Sequence, residues 1–147
     1  MLKDRAWIMR HIPHQGSMCL LDGVIDWDPD RVCCVSRCHR SFANPLRAND
    51  QLSSICGIEF AAQAIAVHGA LIASESHAES HPGFLASVRG VVLNATRLDD
   101  LEDDLLAMAI RINGDDSTLL YEFSLSAGAR VLLSGRAAIV INASGFV

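Results

Sequence analysis

One acidic side chain interrupts a long apolar run: Glu59, in Gly57-Ile58-Glu59-Phe60-Ala61-Ala62-Gln63-Ala64. Between Leu52 and Ser74 there is no other Asp or Glu, and no Lys or Arg. A carboxylate is costly to strip of water unless it is paired or neutralised. A buried carboxyl holds its proton to higher pH and can then deliver it near neutrality. Helical spacing sets Gln63, four residues on, over the same face and within hydrogen-bond reach of Glu59. The pair reads as a general acid with an amide to orient it. The alternative is a half-exposed helix residue beside a Gln that satisfies its own hydrogen bonds.

Proton chemistry also needs a base. His14 follows Pro13 ahead of the first strand pattern, as a loop anchor or as a catalytic group. His39 stands at a strand exit, and His68 lies nine residues beyond Glu59 on the same helix. Both read more readily as structural. His77 and His81 belong to a polar connection and read as solvent-facing. Asp22 reads as a strand-end hydrogen-bonding residue, and the acidic residues of 99–104 as a solvated rim.

Bulk properties narrow the function classes. The 147 residues fit a single domain, 1–147, with a real core. Half the residues are hydrophobic and only 5% are aromatic, so that core is aliphatic. A net charge of −5 with no basic run argues against nucleic-acid binding. Five cysteines (Cys19, Cys33, Cys34, Cys38 and Cys56) form no CxxC pair. They read as buried, reduced thiols of a cytoplasmic protein rather than as a disulfide framework or zinc cage. No metal or cofactor is implied by any spacing. The N-terminal residues lack a signal-peptide pattern, and Glu59, Gln63 and His68 argue against a membrane span.

The elements that must position these residues follow from the patterning. A short helical turn and loop lead to strands at 19–27 and 31–38, joined by Asp28-Pro29-Asp30. A loop from Ser41 to Gln51 delivers the chain to the long helix, with Asp50 or Ser53 as N-cap. Strand patterns follow at 84–98, 105–113, 118–127 and 129–142, with short connections that favour an antiparallel meander. One apolar helix covered by one curled antiparallel sheet of about five or six strands is an α+β hot-dog fold. Its open sheet edges point to dimerisation edge to edge.

The stretch Ile12-Pro13-His14-Gln15-Gly16-Ser17-Met18-Cys19-Leu20-Leu21-Asp22-Gly23-Val24 resembles the N-terminal signature of hot-dog 3-hydroxyacyl-[acyl-carrier-protein] dehydratases. Residues 57–64 resemble the start of that family's central helix, acid and Gln included. Residues 97–106 resemble its turn before a sheet strand. The fit is best to a divergent branch associated with aryl-polyene pathways. The resemblance implies a cytoplasmic lyase of fatty-acid or polyketide-like lipid synthesis, acting on an acyl-carrier-protein or coenzyme A thioester. It makes Glu59 the general acid, sets the Gly57 amide near the thioester oxygen, and has Gln63 orient Glu59.

At one position the sequence departs from that family. Its catalytic His belongs to the loop before the helix, near Pro45 here, and Ser41–Gln51 contains no His. Another His, with His14 or His39 best placed, takes over; or a second hot-dog subunit supplies the group in a homodimer or heterodimer; or the chain binds acyl thioesters without dehydrating them. A thioesterase of the same fold is a further alternative, since such enzymes also use an acid on this helix. An acidic carrier protein would need a basic patch, for which Arg37, Arg40 and Arg47 are the candidates.

Overall fold

The computed structural model describes residues 1–78, 83–115 and 117–141. The described elements are β1 (Lys3–Asp4), α1 (Arg5–His11), β2 (Gly23–Asp28), β3 (Arg31–Ser36), α2 (Gly57–Glu75), β4 (Gly83–Leu93), β5 (Leu105–Gly114), β6 (Thr118–Ala127) and β7 (Arg130–Ile141). Single 3₁₀ turns occupy Gly16–Met18, Cys38–Arg40 and Ser54–Cys56. The strands form one curled, unclosed antiparallel sheet in the order β1-β2-β3-β5-β6-β7-β4. The expected hot-dog architecture is present: a single long helix lies against one sheet.

Alternation along the strands decides which face meets the helix. In β5, Leu105, Ala107 and Ala109 are buried, and in β6 Tyr121, Phe123, Leu125 and Ala127 are. These pack with Phe60, Ala61, Ala64, Ile65, Val67 and Leu71 of α2 in one aliphatic-rich core. By length and composition the 54–75 segment is apolar enough to cross a membrane. Ten residues of α2 are buried inside the fold, however, so it is a core helix.

The sheet departs from the sequence expectation in two ways. The described strands number seven, because the two-residue β1 adds a rung beside β2. The meander holds only for β5-β6-β7, since β4 pairs with β7 and β5 pairs with β3. A chain leaving α2 is carried across the sheet to its far edge, and residues 94–104 bring it back. That return passes the helix entry, where Leu98 N–H donates to Leu52 O at 2.8 Å.

The helix start also differs. Asp50 sits in a tight turn with φ 62°, where Ala48 and Gln51 exchange two backbone hydrogen bonds. Ser53 makes no capping bond, and α2 grows out of the Ser54–Cys56 turn without a side-chain cap. Anchorage comes from outside the helix instead. Asp99 accepts from Leu52 N–H at 2.9 Å and is gripped by the Arg97 guanidinium, which holds its carboxyl well below the usual carboxylate range.

Candidate active site

The site forms where the loop after α1 meets the first two turns of α2. Asp4 caps α1 by accepting from Trp7 N–H at 2.9 Å, and Pro13 follows its end. Arg5 then pins the next loop, donating to Gly16 O at 2.7 Å and Cys19 O at 3.0 Å. Gln15 ties the same loop back to Met9 O and Ile12 O. His14 is thereby held over α2, with its Nε2 3.3 Å from Glu59 Oε1. The acid and one candidate base meet within a single chain.

Gln63 joins the two segments. Its side chain is fully buried. Leu20 N–H donates to Gln63 Oε1 at 2.9 Å, which fixes the orientation of the amide because a backbone N–H is only a donor. Gln63 Nε2 therefore faces Met18 O at 2.8 Å and Glu59 Oε1 at 3.2 Å. Leu20 N–H is thus engaged with α2 rather than with a strand, and β2 starts at Gly23 and not at Cys19. Leu20 O, for its part, accepts from Ser36 Oγ at 2.5 Å.

Both His14 and Gln63 address the same oxygen, Oε1, and among the described residues no hydrogen bond reaches Oε2 of Glu59. The carboxyl is not fully enclosed in the single chain: the side chain is 37% exposed, against 28% for His14. That corrects the expectation of a buried acid. His14 Nδ1 is enclosed without a hydrogen-bond partner, so Nε2 is the ring atom presented to the acid.

Other candidates are placed elsewhere or already engaged. Gly57 N–H turns back to the carbonyls of Ser54 and Ile55. Its Cα is pressed to the sheet, so that a Cβ there would meet Leu133 Cδ2 at 2.3 Å. His39 is buried with Nε2 on Leu101 O at 3.1 Å. His68 is buried between Tyr121 Oη at 2.7 Å and Asp28 O at 2.8 Å. His77 is exposed at the end of α2, and His81 lies outside the described residues.

In the acidic segment 99–104, Asp100, Glu102 and Asp103 are exposed as a rim, while Asp99 and Asp104 hold arginines. Asp104 binds Arg37 Nε at 3.1 Å and Arg40 Nη2 at 3.0 Å, which lowers its pKa. Arg47 is largely buried, donates to Asp50 O and lies over the Phe42 ring. The patch is thus partly paired: Arg37 and Arg40 share the single charge of Asp104, and Arg47 lies 3.9 Å from Asp99, which Arg97 also holds. All five cysteines are free thiols, and burial pushes each of them up.

A family model described as ApeP-like, the ApeP dehydratase, matches residues 7–144. The chain belongs to the ApeP-like dehydratase family. A chain of the dehydratase heterocomplex ApeI:P from Xenorhabdus doucetiae superposes with a TM-score of 0.83 at 24% identity, covering 93% of this chain and 92% of that one. Zebra fish thioesterase superfamily member 2 gives 0.62 at 13% identity, with 94% and 95% covered. A Staphylococcus aureus thioesterase variant gives 0.58 at 11%, with 80% and 90% covered. These structural likenesses establish the hot-dog fold. No curated protein matches the chain.

Within this ApeP-like chain, sequence reasoning missed Arg5, whose role depends on two carbonyls more than ten residues away. It also missed Met18 O and Leu20 N–H as the anchors of Gln63. A backbone partner leaves no mark in side-chain identity, so only the i, i+4 spacing of Glu59 and Gln63 gave a signal.

Proposed function

We propose that this ApeP-like chain dehydrates a 3-hydroxyacyl thioester, with His14 as base and Glu59 as acid. The observation that carries this reading is the 3.3 Å approach of His14 Nε2 to Glu59 Oε1 in a member of a dehydratase family. His14 Nε2 takes the α-proton, and the electron pair of that C–H bond forms the new C=C bond. The C3–O bond breaks, and Glu59 protonates the departing hydroxyl as water through Oε2. The positive end of α2 polarises the thioester carbonyl while the α-carbon bears charge. After release, His14 is protonated and Glu59 is not. His14 Nε2 then gives its proton to solvent and Glu59 Oε2 takes one from solvent, which restores the starting state.

Gln63 keeps Oε1 occupied, so that the proton is delivered from the other oxygen. The acyl group is carried by an acyl-carrier protein or coenzyme A. The half-exposed acid and base call for a cover, which a second hot-dog subunit supplies, as the ApeI:P heterocomplex from Xenorhabdus doucetiae suggests. Five free thiols support a reducing, cytoplasmic setting.

The test offers a 3-hydroxyacyl thioester to the protein, alone and with an ApeI-type subunit, and follows enoyl absorbance and free thiol separately. Enoyl product that is lost on Glu59→Gln and on His14→Asn supports the reading. Free thiol without enoyl product makes the chain a thioesterase. Neither product under both conditions leaves a non-catalytic acyl-binding subunit.

A further inference from the structure

Uncompensated positive charge gathers at the N-terminal segment. Residues 1–21 hold Lys3, Arg5 and Arg10 against one acid, Asp4, a net charge of +2. The rest of the chain carries −7, which brings the total to −5. Asp4 is engaged as the cap of α1, accepting from Trp7 N–H at 2.9 Å. Among the described residues none of the three cations makes an ion pair. Arg5 donates to the neutral carbonyls of Gly16 and Cys19, and Lys3 Nζ lies 5.2 Å from the centre of the Trp7 ring. Arg10 is exposed. Elsewhere Arg31, Arg37, Arg40, Arg47, Arg97 and Arg136 each lie within ion-pair distance of a carboxylate.

The cationic segment is also the one that carries His14. Trp7 and Ile8 bury one side of α1, which leaves Arg10 and His11 outside at its end. Gln15 Nε2 donates to Met9 O at 2.5 Å, so residues 9–15 close into a turn that holds Arg10 and His14 together. Even fully extended, the chain from Arg10 to His14 spans at most about 14 Å. Arg10 therefore stands beside the mouth of the site. Basic residues suit the C-terminal end of a helix. Lys3 precedes α1 and Arg5 opens it, however, so the helix dipole does not account for the cluster.

A body of net negative charge with one positive pole repels an acidic molecule except at that pole. An acidic partner is thus turned toward the segment that holds His14 over Glu59. We infer that this pole, with Lys3 and Arg10 as its outer charges, is the docking surface for an acidic acyl-carrier protein. Docking there delivers the carrier's thioester arm from the His14 side of the site, rather than past the partly paired Arg37, Arg40 and Arg47. The inference rests on the carrier-bound substrate of the proposed function. Its test reads binding and not turnover, so an inactive chain that still binds the carrier sinks the chemistry and leaves the docking intact.

A fluorescently labelled holo acyl-carrier protein is titrated with the full chain and followed by anisotropy at low and at high salt. The wild type is compared with Lys3→Glu/Arg10→Glu. The double variant Arg89→Glu/Arg130→Glu makes the same change in charge on β4 and β7, at the opposite end of the sheet from β1. Circular dichroism checks each fold. The expected result is wild-type binding that weakens with salt. Kd is expected to rise at least about tenfold for Lys3→Glu/Arg10→Glu and to stay within about threefold for the other pair. Equal binding by the wild type and Lys3→Glu/Arg10→Glu overturns the inference. So does an equal loss in both double variants, which would assign the effect to net charge, or a wild type that does not bind the carrier.

Discussion

Gln63 Nε2 lies 3.2 Å from Glu59 Oε1 while its Oε1 accepts from Leu20 N–H at 2.9 Å. One buried amide thus ties the acid on α2 to the segment that carries His14. Replacing it by Leu keeps the volume apolar but leaves Leu20 N–H and Met18 O without their partner. Each orphaned group costs about 1–3 kcal/mol. Gln63→Leu is expected to lower the urea midpoint accordingly and to reduce kcat more than it raises KM. Unchanged kcat in a folded variant would remove Gln63 from the positioning of Glu59.

In the proposed mechanism, self-contained dehydration depends on His14. His14→Asn retains a polar side chain in the loop but cannot accept a proton near neutrality. Loss of a general base costs roughly 10²- to 10⁴-fold in rate. Arg5 and Gln15 hold the loop independently of the imidazole, so the thermal midpoint is expected to stay close to wild type. Full activity of His14→Asn with an ApeI-type partner present would assign the base to that partner.

Arg37 and Arg40 share Asp104, so one of their two charges is already compensated within the chain. Exposed pairs of this kind contribute about 1 kcal/mol or less. Arg37→Ala is expected to change stability within that range. KM for a carrier-bound substrate is expected to stay within about twofold of wild type, a change of under roughly 1 kcal/mol. KM measured in parallel with a carrier-bound and a coenzyme A thioester checks this. A rise confined to the carrier-bound substrate would restore Arg37 as a docking residue.

The fold was legible because its signals are periodic: an apolar helix with one acid, followed by four strand patterns, suffices to specify a wrapped helix. Glu59 and Gln63 were legible through their spacing, and His14 through its place in the N-terminal motif. The crossing of β4 to the far edge was not, since short connections point to neighbouring strands and residues 94–104 carry no sign of a crossover. The exposure of Glu59 was also hidden. Its apolar neighbours describe the helix's other faces, whereas its own face opens on the site. The pairing of Arg37 and Arg40 was hidden too, because their shared partner, Asp104, is more than sixty residues away.

His68 offers a pH prediction. Asp28 O can only accept, so His68 Nε2–H donates to it and Nδ1 accepts from the Tyr121 hydroxyl. Burial lowers the His68 pKa below its ordinary value of 6.5 and pushes Tyr121 up to about 12. A folded-state pKa below the unfolded one gives stability that is present above the ordinary value and lost as pH falls through and below it. The urea midpoint is expected to drop between about pH 7.5 and pH 5.5. His68→Gln is expected to be less stable at the higher pH but to show a smaller drop. His39, also buried with a lowered pKa, accounts for the remaining slope.

Gly57 makes the final prediction, since it sets how closely α2 approaches the sheet. A Cβ at this position would stand 2.3 Å from Leu133 Cδ2 and 2.9 Å from Leu125 Cδ2. Both obstacles are the ends of buried leucines in a filled core, so relief requires a rotamer change or a shift of the helix start. Overpacking of this kind costs about 1–3 kcal/mol. Gly57→Ala is therefore expected to destabilise the protein even though Ala is the better helix former, and to lower kcat by moving Glu59 relative to His14. The clash is with Leu133 first, so Leu133→Val should be less damaging in the Gly57→Ala background than in the wild type. A double-mutant cycle on urea midpoints reads that coupling. Strict additivity would mean that the glycine serves something other than close packing of α2.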